Sequence, residues 1–246
     1  MNQSENRHPI ISVIAPMLNE AGGASTLVDE IAAALAEFEH EIIIIDDAST
    51  DETRAELRAA RKIHPQLRIL CHEQNAGQSR AIRTGVLAAR ADIVAMLDGD
   101  GQNDPVHIPA LYRVLMDADP DVAMAAGERQ KRQDSRAKKW ASRAANAIRQ
   151  KLLDDGAADT GCGLKVFRRE AFLRLPYFDH MHRYLPALIR REGFKVVFMP
   201  VSHRARAHGV SKYTNIGRAL VAVRDLFGVM WLRARAKSPG KITEQP

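Results

Sequence analysis

At 246 residues, 46% hydrophobic and 27% charged, the chain can bury a sizeable core in one large α/β domain, and it carries no repeat or low-complexity tract. A net charge of +6 points to an anionic partner: nucleic acid, a phosphorylated metabolite or a membrane surface. The two cysteines, Cys71 and Cys162, lack metal-type spacing and read as reduced, buried thiols.

The first residues, Met-Asn-Gln-Ser-Glu-Asn-Arg-His-Pro, have no apolar h-region, which predicts a cytoplasmic protein. No run approaches the roughly 18 apolar residues of a membrane span. From residue 10 the chain alternates. Strands are expected at Ile10 to Ala15, Glu41 to Ile45, Leu67 to Cys71 and Asp92 to Leu97. Helices are expected at Ser25 to Phe38, at Asp51 to Ile63 with Asp51 as N-cap, and at Gln78 to Arg90. Strict alternation implies right-handed crossovers and a mainly parallel sheet, whose ligands sit beyond the carboxyl ends of the strands.

Polar segments fall at those ends: Pro16-Met17-Leu18-Asn19-Glu20, Asp46-Asp47-Ala48-Ser49-Thr50-Asp51, Asn75-Ala76-Gly77, and Asp98-Gly99-Asp100-Gly101-Gln102. Each alone is an ordinary turn or cap. Four at one sheet edge make a site. The Asp98-Gly99-Asp100 spacing aims two carboxylates at one hard cation, with Gln102 adding an amide oxygen, and such a cation holds a diphosphate.

In these motifs the chain resembles the glycosyltransferase family 2 enzymes of GT-A fold, within them the dolichol-phosphate mannose synthase-like group, from about Ile10 to Leu232. The resemblance assigns Pro16, Leu18, Asn19 and Glu20 to the nucleotide; position 18 is usually aromatic in this group. Asp46 and Asp47 match the paired aspartates, the second contacting base or ribose. The resemblance also implies that Asp98, Gly99 and Asp100 belong to the nucleotide-sugar site and that Asp98, Asp100 and Gln102 hold the metal, Mg²⁺ or Mn²⁺. Arg129, at the end of an expected strand from Val122 to Gly127, falls where the family places an arginine near the donor diphosphate.

From Arg129 to Lys151 the chain is strongly basic, which is commonly just a solvated helix face. Lys138 and Ser142 lie one helical turn apart, able to reach one phosphate, and match the positions where the family grips the lipid phosphate. Asp159-Thr-Gly-Cys-Gly-Leu-Lys-Val-Phe167 is similar to an element of polyprenyl-phosphate sugar transferases. It makes Asp159 a catalytic candidate, as base or orienting group, alongside Asp100 and Arg129; a helix cap or an arginine's structural partner is the plainer reading. Arg206 and Lys212 match the family's Arg-x-x-Gly-x-Ser-Lys signature as diphosphate ligands on a loop that could close over donor.

Ile216 to Leu232 has helical apolar spacing with Arg218, Arg224, Arg233, Arg235 and Lys237 around it. It packs on the core, lies in an anionic membrane surface with Trp231 at the interface, or buries its apolar face in a second copy of the chain. The expected layout is a tail at 1–9, a GT-A domain at 10–213, an amphipathic helical segment at 214–236 and a tail at 237–246, without a transmembrane span.

The reading is an inverting, metal-dependent transferase moving sugar from a nucleotide-diphosphate donor, UDP-sugar over GDP-mannose, to a polyprenyl phosphate. It is expected to be peripheral at the inner face of the cytoplasmic membrane. A soluble or polysaccharide acceptor is the rival. A nucleotidyltransferase lacks its Gly-rich triphosphate cradle here, and a nucleic-acid binder is disfavoured by 5% aromatic content without aromatics interleaved among the basic residues. A non-catalytic sugar-nucleotide sensor is disfavoured because the metal, diphosphate and acceptor positions all hold chemically competent residues.

Overall fold

Four consecutive isoleucines, Ile42 to Ile45, are all fully buried, as a central parallel strand covered on both faces requires. Ile42 and Ile44 join one hydrophobic cluster, Ile43 and Ile45 the other. The computed structural model describes residues 8–129, 150, 152–153, 155–157, 159, 161–204, 215–237 and 243–244, with backbone only for 215–220. Lys138, Ser142, Arg206, Lys212, the tail at 1–7 and most of the basic run therefore lie outside the described residues.

The first half follows the expected alternation: β1 (Ile11–Met17), α1 (Ala24–Ala34), β2 (His40–Asp46), α2 (Thr53–Ile63), β3 (Leu67–Cys71), α3 (Gln78–Ala88) and β4 (Ile93–Met96). Helix α1 stops short of Phe38, which instead packs edge-on against Tyr112 at 5.6 Å. Helix α3 stops short of Arg90 because Ala89 turns to an extended conformation. Helix α2 begins at Thr53 rather than Asp51, whose carboxylate accepts the Thr53 N–H at 3.1 Å.

A 3₁₀ turn (Pro105–His107), α4 (Ile108–Asp117) and β5 (Val122–Arg129) follow. The rest comprises β6 (Lys165–Arg168), α5 (Arg169–Leu173), a 3₁₀ turn (Met181–Tyr184), α6 (Leu185–Arg191), β7 (Lys195–Val201) and α7 (Asn215–Ala234). The strands form one sheet in the order β3-β2-β1-β4-β6-β5-β7. Only β6 runs antiparallel, against both β4 and β5. Pro200 sits in β7 at the edge, where a missing N–H costs no ladder bond on the open side.

Residues of α1, α2 and α4 fill one core cluster; those of α3, α5, α6 and α7 fill the other. Helix α7 is fastened by the Tyr184 hydroxyl donating to the Ala222 carbonyl at 3.0 Å and by Arg191 Nε donating to the Leu232 carbonyl at 3.0 Å. Val229 is buried beneath it, while Val223, Phe227 and Trp231, four residues apart in turn, stay exposed. Among the described residues no helix is long and apolar enough to cross a membrane. Both cysteines are free thiols, but against expectation only Cys162 is buried; Cys71 ends the edge strand β3 and is exposed.

Candidate active site

Two loops close over the ends of β1 and β2 and are stitched to each other. Asn19 adopts a left-handed φ of 54°, which asparagine tolerates better than most residues. Its N–H donates to Ser49 Oγ at 2.9 Å and its Oδ1 accepts the Thr50 N–H at 2.8 Å. The Glu20 N–H donates to Thr53 Oγ1 at 2.9 Å. Leu18 and Glu20 are partly buried in this loop. The visible work of Asn19 is thus to lock the two loops.

Asp46 is fully buried, accepts the Ser49 N–H at 3.0 Å and pairs with Arg54. Asp47 is pinned across the sheet edge: Oδ1 accepts from His72 Nδ1 at 2.6 Å and from the Ala76 N–H at 2.9 Å, and Oδ2 accepts from the Gly77 N–H at 2.8 Å. Gly77 has φ +85°, which lets consecutive N–H groups converge on this carboxylate.

The turn after β4 is packed from below and braced from two sides. A methyl on Gly99 would overlap the Pro16 carbonyl and lie 2.6 Å from Met17, so β1 itself demands this glycine. Asp98 Oδ1 accepts from Gln78 Nε2 at 2.7 Å, and the Asp98 N–H donates to the Oδ1 of buried Asn103 at 3.0 Å. Asp100 Oδ1 accepts the Gln102 N–H at 3.1 Å. The Gln102 carbonyl accepts the Arg204 N–H at 3.0 Å, and Asn103 bridges His203, which ties this turn to the segment leading to Arg206 and Lys212.

The second half of the chain supplies the opposing wall. Arg129, ending β5, holds Asp159 at two points, with Nε to Oδ2 at 2.5 Å and Nη2 to Oδ1 at 2.8 Å. A methyl on Gly161 would lie 2.6 Å from Arg129 Nη2; one on Gly163 would overlap the Asp98 carboxylate and lie 2.6 Å from Asn103 Oδ1. Lys165, first residue of β6, is buried and donates to the Cys162 carbonyl.

Burial raises the Asp98 carboxyl above the ordinary aspartate range, and the charge of Asp100 raises it further, against Lys165, Gln78 and Arg129. Burial lowers Lys165, opposed by Cys162, Asp98 and Asp159. Arg129 is held more firmly protonated by its bond to Asp159. A buried carboxyl raised by its own desolvation and by the charge of a neighbouring carboxylate is a site that a divalent cation would relieve, and the oxygen donor set suits Mg²⁺ or Mn²⁺. Among the described residues no cluster of three or more His, Cys, Asp or Glu offers an alternative metal site.

The structure thus brings Pro16, Asn19, Asp46, Asp47, Asp98, Asp100, Gln102, Arg129 and Asp159 to one end of the sheet. Four participants were not singled out as site residues from the sequence: His72, Gln78, Asn103 and Lys165. Gln78 directly follows the Asn75-Ala76-Gly77 turn and Lys165 lies in the quoted glycine-rich element, so position flagged both. Nothing in the sequence marks His72. Burial lowers His182 to about 3, and its Nδ1 lies 2.8 Å from Ser79 Oγ, so it is a neutral structural group.

This arrangement, two carboxylates in a strand-end turn facing basic side chains on a mainly parallel sheet, defines a nucleotide-sugar transferase class of site. A family model for glycosyl transferase family 2 matches residues 12–175, and the chain belongs to that family; it is a glycosyltransferase. It is 34% identical over 239 residues to a dodecaprenyl-phosphate galacturonate synthase of Rhizobium johnstonii, covering 94% of this chain and 69% of that protein. It is 33% identical over 208 residues to an undecaprenyl-phosphate 4-deoxy-4-formamido-L-arabinose transferase of Sodalis glossinidius, covering 83% of this chain and 63% of that relative's length. Among solved structures, glucosyl-3-phosphoglycerate synthase of Mycobacterium tuberculosis, in complex with Mn²⁺, UDP and glucosyl-3-phosphoglycerate, superposes with a TM-score of 0.69 at 18% identity. That match covers 94% of this chain and 82% of the other and shows the shared fold.

Proposed function

We propose that the chain transfers a sugar, with inversion, from a nucleotide-diphosphate donor to a polyprenyl phosphate, and that the donor is a UDP-sugar rather than GDP-mannose. The observation carrying this reading is the convergence of Asp98 and Asp100 with Lys165 and the Arg129–Asp159 pair at the strand ends, in a chain whose similar relatives are named for polyprenyl-phosphate sugar transfer.

Asp98, Asp100 and Gln102 would hold a divalent cation, which when bound supplies positive charge to the leaving diphosphate. Gln78 and Asn103 orient the Asp98 turn. Arg129 adds fixed charge near the diphosphate, with Arg206 and Lys212 assigned to the same task by the family signature. A phosphate monoester has a second pKa of roughly 6, so the acceptor oxygen is already anionic and needs no strong base. Asp159, with both oxygens bonded to Arg129, is suited to orienting that arginine rather than taking a proton. Lys138 and Ser142 are proposed to grip the lipid phosphate, and the exposed Val223–Phe227–Trp231 stripe with Arg224 and Arg235 beside it to rest on the anionic inner face of the membrane.

The test is nucleoside diphosphate release from a panel of UDP- and GDP-sugars with Mn²⁺ or Mg²⁺, with and without undecaprenyl phosphate in detergent. Turnover requiring metal and lipid phosphate together supports the reading. Donor binding without turnover on any lipid phosphate overturns the acceptor and moves the reading to a soluble acceptor or a non-catalytic sensor.

A further inference from the structure

His72 directly follows β3, and its N–H extends the ladder by donating to the Asp46 carbonyl at 2.9 Å. Its mostly buried ring is held at both nitrogens, Nδ1 2.6 Å from Asp47 Oδ1 and Nε2 3.0 Å from Thr84 Oγ1 on α3. An ionised carboxylate only accepts, so Nδ1 carries the proton; in the neutral ring Nε2 then accepts from the Thr84 hydroxyl. The ring cannot turn without breaking one of these bonds.

The consequence falls on Asp47. A carboxylate offers about four acceptor positions, two on each oxygen. Oδ1 is filled by His72 and the Ala76 N–H, and Oδ2 takes the Gly77 N–H. Among the described residues one acceptor position is left, on Oδ2. Uracil presents a single N–H, at N3, on its pairing edge. Guanine presents two side by side, at N1 and N2, which a carboxylate meets with both oxygens. One remaining position satisfies uracil and leaves a guanine donor unpaired, and an unpaired buried donor weakens binding by roughly ten- to a hundredfold.

We infer that His72, pinned by Thr84, is a positioning residue that restricts Asp47 to one-point acceptance and thereby selects uracil over guanine in the donor nucleotide. This rests on the proposed nucleotide-sugar donor and on Asp47, which the family resemblance assigns to base or ribose, meeting the base. It converts a preference for UDP-sugars into a property of named bonds.

The experiment is calorimetric titration of the full chain with UDP and with GDP, each with Mn²⁺, for the wild type and for His72→Leu, His72→Asn and Thr84→Val. The wild type is expected to favour UDP by about tenfold or more, and His72→Leu, which frees a position on Oδ1, to cut that ratio by about tenfold. His72→Asn returns an N–H near the place of Nδ1–H and is expected to keep the ratio within about threefold. Thr84→Val, nearly the same shape, is expected to lower the ratio in the same direction by less, and it serves if His72→Leu fails to fold. Equal weakening of both nucleotides, or an unchanged ratio, in a chain that still binds UDP overturns the role of His72 and leaves the donor reading standing. A wild type that binds neither nucleotide with Mn²⁺ overturns the donor reading and this inference with it.

Discussion

Arg129 and Asp159 are each other's principal partner, joined at two points across the 30 residues that separate them in sequence. The motifs give them separate tasks, one at the diphosphate and one at the reacting centre; the structure makes them one unit. Removing one partner of a largely buried pair costs about 3–5 kcal/mol because the other charge is stranded. Arg129→Ala and Asp159→Ala should each destabilise the chain, and the double variant should lose less than the sum, with a coupling of about 1–3 kcal/mol. Denaturant unfolding of the four proteins measures this, and additive losses would show that the pair does not act as a unit.

Asp100 is expected to matter more for chemistry than Asp159. Its Oδ1 accepts a turn N–H from Gln102, whereas Asp98 is braced by Gln78. Asp100→Ala should lower kcat/KM by about 10²- to 10³-fold, in line with loss of charge stabilisation at a leaving group, and should abolish Mn²⁺-dependent UDP binding. Asp159→Asn should retain that binding. Equal losses in both, with metal binding intact, would sink the division of roles.

Gly163 leaves no room for a methyl beside the Asp98 carboxylate. Gly163→Ala should therefore push Asp98 aside, costing about 1–3 kcal/mol of stability and most of the activity. Gly193, at φ +87° with nothing near its would-be Cβ, provides the contrast. Gly193→Ala should cost about 1–2 kcal/mol through backbone strain alone and leave kcat unchanged. Parallel thermal melts and turnover assays separate the two.

Acid sensitivity should come partly from the far end of β2. Glu41 is buried, and although burial raises its pKa, bonds from the Ser12 hydroxyl, the Arg90 N–H and Arg68 outweigh this and hold it below the ordinary value. A depressed carboxyl contributes stability that is fully present above the unfolded pKa of about 4.3 and is lost as pH falls through the lower folded value. Glu41→Gln should thus be destabilised at neutral pH and show a shallower acid limb in urea unfolding. Five steps of strand, about 17 Å, separate it from Asp46, so kcat per folded molecule should be unaltered.

The exposed face of α7 should determine vesicle binding. Phe227 and Trp231 are 64% and 60% exposed on the side away from the core. Replacing both with Glu should reduce sedimentation with anionic vesicles by about tenfold or more, while UDP–Mn²⁺ binding stays intact. Unchanged sedimentation would point instead to a second copy of the chain on this face, which light scattering would reveal.

The first half of the fold was readable because its signals are local. Apolar runs such as Ile42–Ile45 name buried parallel strands without help from the rest of the chain. In the second half the strand from Val122 and the helix over Ile216–Leu232 were readable for the same reason, but β6 was not, because it is four residues long and its place between β4 and β5 depends on a register that no local pattern encodes. At the site, Asp98, Asp100, Arg129 and Asp159 announced themselves by motif. His72 did not, since its part arises from the meeting of the ends of β2 and β3 with α3. Asn19 shows the converse: a motif residue whose visible bonds are to a neighbouring loop.

Strand β6 runs against its neighbours, pairing Lys165 with Met96 and Arg168 with Ile93. Its direction means that the 161–164 segment and the 98–103 turn meet head to head, and because side chains alternate along a strand, a slip of one residue would turn Lys165 to the opposite face of the sheet. The contact between Asp98 and the chain entering β6 therefore depends on the β4–β6 register.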